Sequence, residues 1–140
     1  MVRVIDDLLE ERLGVENHRY LRFGVLTLDR SCHKVTLWGT VLSITLVEAH
    51  VLELLMLSPG KVFIRQEIID ATWRLNSTVD ERTVDVMVGR IRDAMKNKLP
   101  FDPIRTVRNM GYALNEQFGS PHLRRKKRII QKIHREDSAQ

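Results

Sequence analysis

The segment RTVDVMVGRIR, residues 82–92, constrains this chain more than any other because it carries two different faces. Apolar residues recur at three- and four-residue steps, at Val84, Val88, Ile91 and Met95. This period predicts a helix with one side covered by a core. The other side carries arginines and small residues, namely Arg82, Val86, Gly89, Arg90 and Asp93. A helix anchored on one side, with arginines on the other, is suited to the major groove of DNA.

A short β-hairpin is predicted downstream, in IRTVRNMGYAL (Ile104–Leu114). Its two arms are rich in β-prone residues, and Asn109–Gly111 between them supplies turn chemistry. Such a hairpin would carry Arg105 and Arg108 near its tip, beside the predicted helix.

These two stretches resemble the OmpR/PhoB family of winged-helix effector domains, the output halves of bacterial two-component response regulators. The family pattern RTVDVhIxRLRxKL … TVRGxGY is matched at Arg82, Thr83, Val84, Asp85, Val86, Arg90, Arg92, Thr106, Val107, Arg108, Gly111 and Tyr112. The resemblance extends upstream through GVLTLD (24–29), LSITLVEAHVLELL (42–55) and PGKVFIRQEIIDATW (59–73).

The resemblance implies an α+β fold of the winged helix-turn-helix type. It comprises an N-terminal antiparallel β-sheet, a three-helix core and a C-terminal β-hairpin wing. Residues 1–19 are interpreted as a linker helix that would end an absent receiver domain; a frayed amphipathic helix without a role is the alternative. The DNA-binding domain is assigned to residues 20–116 and a basic tail to residues 117–140.

The upstream elements follow from local patterns. Strand-like patches are predicted around a bend at Trp38-Gly39, at residues 21–23, 26–28, 35–37 and 41–44. The first helix opens at Thr45, where Glu48 completes a capping box, and stops before Ser58-Pro59-Gly60. The second is predicted from Arg65 to Trp73, with Ile68, Ile69 and Trp73 facing inward. The Ile64 side chain cannot accept hydrogen bonds from the first-turn amides. The start of that helix is therefore expected to be about 1 kcal/mol less stable than in relatives with a capping residue.

The resemblance implies a sequence-specific duplex-DNA-binding regulator, with helix 82–96 in the major groove and the wing near Arg108 in the minor groove. Arg82, Val86 and Arg90 are expected to read bases, whereas Arg92 suits a phosphate. The other residues assigned to DNA are Thr83, Met87, Gly89, Thr106, Arg108 and Tyr112.

Several of these assignments depart from the family pattern or carry a second interpretation. Met87 and Gly89 stand where relatives carry polar groups, so one phosphate contact is expected to be missing, while glycine permits close backbone approach. Asn109 replaces a glycine but tolerates positive φ. Tyr112 is assigned first to packing and second to a phosphate.

Two further segments are assigned by position and charge. By resemblance, Arg74, Asn76, Ser77 and Thr78 form a loop that contacts RNA polymerase; the alternative is a plain turn that caps the next helix through Thr78 or Asp80. Nonspecific DNA contacts are predicted for the basic run Arg124, Arg125, Lys126, Lys127 and Arg128. A solvated extension and a partner-docking helix with Ile129, Ile130 and Ile133 remain alternatives.

Composition agrees with a polyanionic partner, since the net charge is +5 and the pI about 9.7. We expect a cytoplasmic protein without a membrane segment, because there is neither a long apolar run nor a visible signal peptide. The single Cys32 has no intrachain partner and is interpreted as a passive residue, with a redox sensor as the alternative.

No enzyme, metal or cofactor is predicted. The histidines are scattered along the sequence without metal-ligand spacing, at His18, His33, His50, His122 and His134. The family implies a sensor kinase acting on a receiver domain, and binding to DNA as a dimer or in tandem. The competing function is an interaction module that docks RNA polymerase or a partner regulator with little DNA reading of its own.

Overall fold

The computed structural model describes residues 19–72, 79–121 and 123. Within them, a four-stranded sheet is followed by three helices and a three-stranded sheet. The predicted α+β winged-helix architecture is therefore confirmed. Most of the predicted linker helix, the loop residues Arg74, Asn76, Ser77 and Thr78, and the basic run 124–128 lie outside the described residues. No helix in the described ranges is long and apolar enough to cross a bilayer.

The predicted N-terminal antiparallel sheet is present, and its strands lie in chain order as a meander. Its strands are β1 (Tyr20–Phe23), β2 (Leu26–Asp29), β3 (Lys34–Leu37) and β4 (Thr40–Val41). Leu21 pairs with Leu28 and Leu28 with Val35, so alternate residues bury one face. The predicted bend is present, with Trp38 at φ 57° and Gly39 at φ 81°, the left-handed region that a tight hairpin turn requires.

The predicted fourth strand, residues 41–44, was too long. After one bond from the Leu42 amide to the Val35 carbonyl (2.9 Å), the chain leaves the sheet. Residues 42–45 instead lead into the first helix, α1 (Leu46–Leu57).

Helix α1 begins and ends where the sequence predicts. The Thr45 hydroxyl accepts from the Glu48 amide at 3.3 Å, and the Glu48 carboxylate accepts from the Thr45 amide at 2.8 Å. This capping box satisfies two first-turn donors. All residues from Glu48 to Leu57 are buried, because α1 packs against β1, β7 and both other helices. Helix α1 is therefore the centre of the core.

Helix α2 (Arg65–Thr72) follows the short strand β5 (Phe63–Ile64). Ile68 and Ile69 are buried as predicted, whereas Trp73 lies outside the described residues. Ile64 offers no side-chain cap, but its amide donates to the Glu67 carboxylate at 3.0 Å. Half of a capping box is therefore retained.

Helix α3 (Glu81–Ala94) contains residues 82–92, the segment that carries two different faces. Asp80 caps it by accepting from the Thr83 amide at 3.1 Å, which confirms one of the two predicted caps. The predicted apolar stripe is buried, together with Met87. The helix ends two residues before the predicted residue 96, with Met95 as its C-cap, and Asn97 at φ 64° lies in the turn that follows.

The wing consists of β6 (Ile104–Val107) and β7 (Gly111–Leu114), with β5 paired to the other side of β7. Asn109 adopts φ 62°, as predicted for the residue that replaces a glycine. A Cβ on Gly111 would lie 1.9 Å from the Phe63 carbonyl oxygen. Only glycine therefore allows β5 and β7 to approach this closely.

The packed domain extends past the predicted boundary at residue 116. A 3₁₀ helix spans Glu116–Gly119, and its Phe118 has no exposed surface. The Phe118 ring packs edge-to-face on Phe101, with centroids 5.0 Å apart. Leu123 is also buried, at 2% exposure. The sequence suggested a tail because Phe118 is an isolated aromatic residue without an apolar period around it.

If Phe118 completes the core, Phe118→Ala should lower the free energy of unfolding by about 3–5 kcal/mol, because it removes a fully buried ring. Urea denaturation followed by circular dichroism measures the change. The control is Gln117→Ala at the exposed neighbouring position, which should stay within about 0.5 kcal/mol of the parent. Equal stability of both variants would place residue 118 outside the cooperative unit.

Candidate nucleic-acid interface

Asp85 joins α3 to two neighbouring elements. Its Oδ1 atom accepts from the Tyr112 hydroxyl on β7 at 2.5 Å and from Arg65 Nε at the start of α2 at 2.7 Å. The Arg65 guanidinium also lies over the Tyr112 ring, 5.3 Å from the centroid. Hydrogen bonds to a carboxylate are stronger than those between neutral groups. The buried stripe and this three-residue network together fix the rotation of α3 about its axis.

The pKa shifts of Asp85 and Tyr112 are consistent with this hydrogen-bond network. Partial burial acts to raise the pKa of Asp85, but the hydrogen bonds from Tyr112 and Arg65 outweigh it, and the pKa is lowered. Burial, reinforced by the bond to Asp85, raises the pKa of Tyr112. At neutral pH the carboxylate is therefore charged and the hydroxyl keeps its proton. The donor and acceptor roles in the network are thus set.

Arg92 connects α3 to the wing. Its Nη2 atom donates to the Ile104 carbonyl at 2.6 Å and to the Thr106 hydroxyl at 2.7 Å, and its Nε donates to Asp102 at 3.0 Å. These three directed bonds use three of the five N–H donors of the guanidinium, those on Nε and Nη2, within the protein. Arg92, predicted to bind a phosphate, and Thr106, predicted to contact DNA, are therefore hydrogen-bonded to each other within the protein.

The outward face of α3 carries side chains of a different kind. Arg82 and Arg90 are exposed, and Val86 between them is 45% exposed. Neither arginine forms a hydrogen bond or ion pair with any residue that the structure describes. Gly89 lies beside them, and a Cβ at this position would meet nothing within 4 Å. The helix thus presents two uncommitted cations and open space.

The wing adds a third uncommitted arginine. Arg108 begins the turn between β6 and β7, is exposed, and has no hydrogen-bonding or ionic partner among the described residues. By contrast, Arg105 donates weakly to the Gly60 carbonyl, at 3.4 Å. Arg108 is therefore the wing cation that remains available to an external anion.

Three other predicted contact residues point elsewhere. Met87 is 9% exposed and packs in the core, so its assignment to DNA is corrected: the α3 face that it occupies is turned toward α1 and α2. Tyr112 is 5% exposed, which confirms the packing role and places its hydroxyl on Asp85. The Thr83 hydroxyl lies 3.2 Å from Asp80 in the helix cap.

Sequence reasoning missed two groupings that exist only in the folded chain. Asp85 was recognised as a matching residue but not as the link between α2, α3 and β7. His33, His50 and Glu53 come within 4.8 Å of one another, although sequence spacing suggested scattered histidines. The only local signal was the three-residue step from His50 to Glu53, which places both on one helix face.

Comparison with known proteins gives the family. Residues 39–114 match the family described as "Transcriptional regulatory protein, C terminal". The phosphate regulon transcriptional regulatory protein PhoB of Rhizobium meliloti is 46% identical over 94 residues, covering 67% of this chain and 41% of that protein. The transcriptional regulatory protein CreB of Escherichia coli is 33% identical over 95 residues, covering 67% and 42%. The chain spans less than half the length of these relatives, which are transcription regulators and not enzymes.

Solved structures agree. The DNA-binding domain of response regulator AdeR, in complex with an intercistronic region, superposes with a TM-score of 0.61 at 28% identity, covering 68% of this chain and 97% of that one. The Klebsiella pneumoniae RstA DNA-binding domain, in complex with the RstA box, gives 0.60 at 26% identity, covering 71% and 99%. DrrB, a Thermotoga maritima OmpR/PhoB homologue, gives 0.62 at 25% identity, covering 81% and 52%. This chain therefore belongs to the OmpR/PhoB family of transcription regulators, of which it carries the C-terminal winged-helix effector domain.

Proposed function

We propose that this domain binds duplex DNA sequence-specifically, with α3 in the major groove and the wing in the minor groove. The observation that carries the proposal is the division among the arginines. Arg65 and Arg92 hold α3 in place through bonds inside the protein, while Arg82, Arg90 and Arg108 have no described partner. A helix that is already held in place, with exposed arginines on its outer face, suits recognition of base edges. Less conformational entropy is lost on binding because the helix is ordered beforehand.

Base reading on α3 is assigned to three residues spaced by one helical turn. Arg82 and Arg90 each offer a bidentate donor pair for guanine, and Val86 offers an apolar surface for a thymine methyl group. The open space at Gly89 permits close approach of the helix backbone to the groove floor. Arg92 and Thr106 are assigned to positioning the wing against α3.

Arg108 is assigned to the minor groove. The turn carries it away from the core, and its exposed guanidinium has the charge that a narrow A·T-rich groove attracts. The +5 net charge of the chain adds a general attraction to DNA.

The setting of the domain is proposed by analogy with its relatives. We propose that it is the output part of a cytoplasmic response regulator whose receiver domain is controlled by a sensor kinase. In this proposal it binds DNA as a dimer or in tandem and contacts RNA polymerase. The support is the family and the relatives, in which the matching region is less than half of the protein.

Selection of bound sequences from a random duplex library, using the 140-residue chain, tests the proposal directly. We expect an enriched half-site with at least one guanine, and the spacing of half-sites reports dimeric or tandem binding. A pool without enrichment would contradict sequence-specific reading and favour an interaction module that docks RNA polymerase or a partner regulator.

The two arginines near the end of α3 should respond differently to alanine. Arg90→Ala should cost about 1–3 kcal/mol of binding, relax preference at one base pair and leave folding stability unchanged. Arg92→Ala should weaken all sequences alike and also lower the free energy of unfolding by about 1–3 kcal/mol, because it leaves the partly buried Ile104 carbonyl without this donor. Titrations on matched and single-mismatch duplexes, together with urea denaturation, separate the two. Equal, sequence-blind losses with unchanged stability would sink both assignments.

For the wing, Arg108→Ala should reduce affinity most on sites with A·T-rich flanks, since the gain from inserting arginine depends on groove width. Replacing the flanking A·T pairs with G·C should mimic the mutation, so the two losses should overlap. Arg105→Ala, on the adjacent strand, is the control and should be insensitive to flank composition. Fully additive losses from Arg108→Ala and the flank change would exclude a minor-groove role for Arg108.

We also propose that the basic run 124–128 adds nonspecific phosphate contacts. Each phosphate neutralised contributes about 0.9 to the slope of log affinity against log salt. Changing Arg124, Arg125, Lys126, Lys127 and Arg128 to Gln should lower the slope by roughly two to four units, without altering base preference. Removal of residues 129–140, where Lys132 and Arg135 are balanced by Glu136 and Asp137, is the matched control. An unchanged slope in the glutamine variant would refute the electrostatic role.

A further inference from the structure

Three metal-ligating side chains meet where the turn between β2 and β3 packs on α1. His33 lies in the turn, and His50 and Glu53 lie on α1, three residues apart. One ring nitrogen of each histidine and a carboxylate oxygen of Glu53 are all within 4.8 Å of one another. None of the three residues belongs to α3 or the wing. We propose that they form a binding site for a divalent transition-metal ion, with Zn²⁺ the best match to the donor set.

The state of the two imidazoles supports this. His50 is 7% exposed, and its Nε2 atom has no hydrogen-bond partner in the described part of the structure; the same is true of His33 Nδ1. The rings meet edge to face, with centroids 4.5 Å apart, so neither ring bonds to the other through these atoms. A buried polar atom without a partner costs free energy. A metal ion coordinated by the imidazoles would give ring nitrogens a partner and offset that free-energy cost.

The donor chemistry fits zinc better than calcium or magnesium. Two imidazoles and one carboxylate form a known zinc ligand set, which leaves a fourth position for water, whereas calcium and magnesium prefer oxygen alone. Neighbouring ligand atoms of a tetrahedral zinc site lie about 3.3 Å apart. The three ligand atoms lie within 4.8 Å of one another, so small side-chain rotations would bring them to this spacing.

Arg30 competes with the ion for Glu53. Its Nε atom donates to Glu53 Oε1 at 2.6 Å, and Glu53 is 2% exposed. A guanidinium this close lowers the local affinity for a second cation. The geometry therefore predicts that removal of the arginine charge strengthens metal binding, a gain that partial unfolding would not produce.

The experiment is calorimetric titration of Zn²⁺ into the 140-residue chain at pH 7. We expect one ion per chain and a loss of about tenfold or more in affinity for His33→Asn. Asparagine is chosen because His33 adopts φ 55°, which asparagine tolerates, so the turn should survive. Arg30→Gln should raise affinity by about tenfold, if it removes about 1.4 kcal/mol of repulsion. Cys32→Ser, next to His33 and exposed, is the control and should bind as the parent does.

Several outcomes would overturn the site. Absence of stoichiometric Zn²⁺ binding would do so, as would unchanged affinity in His33→Asn. A loss in Cys32→Ser equal to that in His33→Asn would assign the ion to the exposed thiol instead. No gain in Arg30→Gln would remove Glu53 from the ligand set. DNA affinity of His33→Asn, measured without metal, should equal that of the parent, so failure of the metal site remains distinct from failure of the DNA proposal.

Discussion

The geometry of the proposed interface depends on the carboxylate of Asp85. One of its oxygens receives bonds from Tyr112 on β7 and Arg65 on α2, so a single side chain links three elements. Burial of the α3 apolar stripe is non-directional and leaves small rotations of the helix inexpensive. The directed bonds to Asp85 remove that freedom. The outward residues Arg82 and Arg90 are therefore presented at a defined angle before any DNA is bound.

Two arginines of α3, Arg90 and Arg92, have different surroundings although they are two residues apart. The side chain of Arg92 reaches the Ile104 carbonyl and Thr106, so its Nη2 donors are used inside the protein. The side chain of Arg90, two residues earlier, is exposed. Two residues along a helix correspond to a rotation of about 200°, so adjacent members of one basic pattern face opposite sides. Arg92 therefore connects α3 to the wing, whereas Arg90 is the one assigned to recognition in the proposed function.

Helix α1 explains how one small domain holds two separate candidate sites. Ten consecutive residues of α1, from Glu48 to Leu57, are buried, because α3 packs on one side of the helix and the first sheet on another. A helix enclosed on all sides must bury its polar residues too, and His50 and Glu53 are two of them. Such groups need partners. Glu53 has Arg30, and the proposed ion would supply a partner for the histidines.

Local patterns in the sequence determined the helices, the capping box at Thr45, the wing turn at Asn109 and the family, because periods, caps and turns depend on residues a few positions apart. The tertiary structure alone decided which of the described arginines bond within the domain, since Arg92 finds its partners across the α3–wing boundary. It also decided that Phe118 belongs to the core and that His33 meets His50. These outcomes depend on pairs far apart in the chain, whose meeting is set by packing of whole elements and is not encoded in any local pattern.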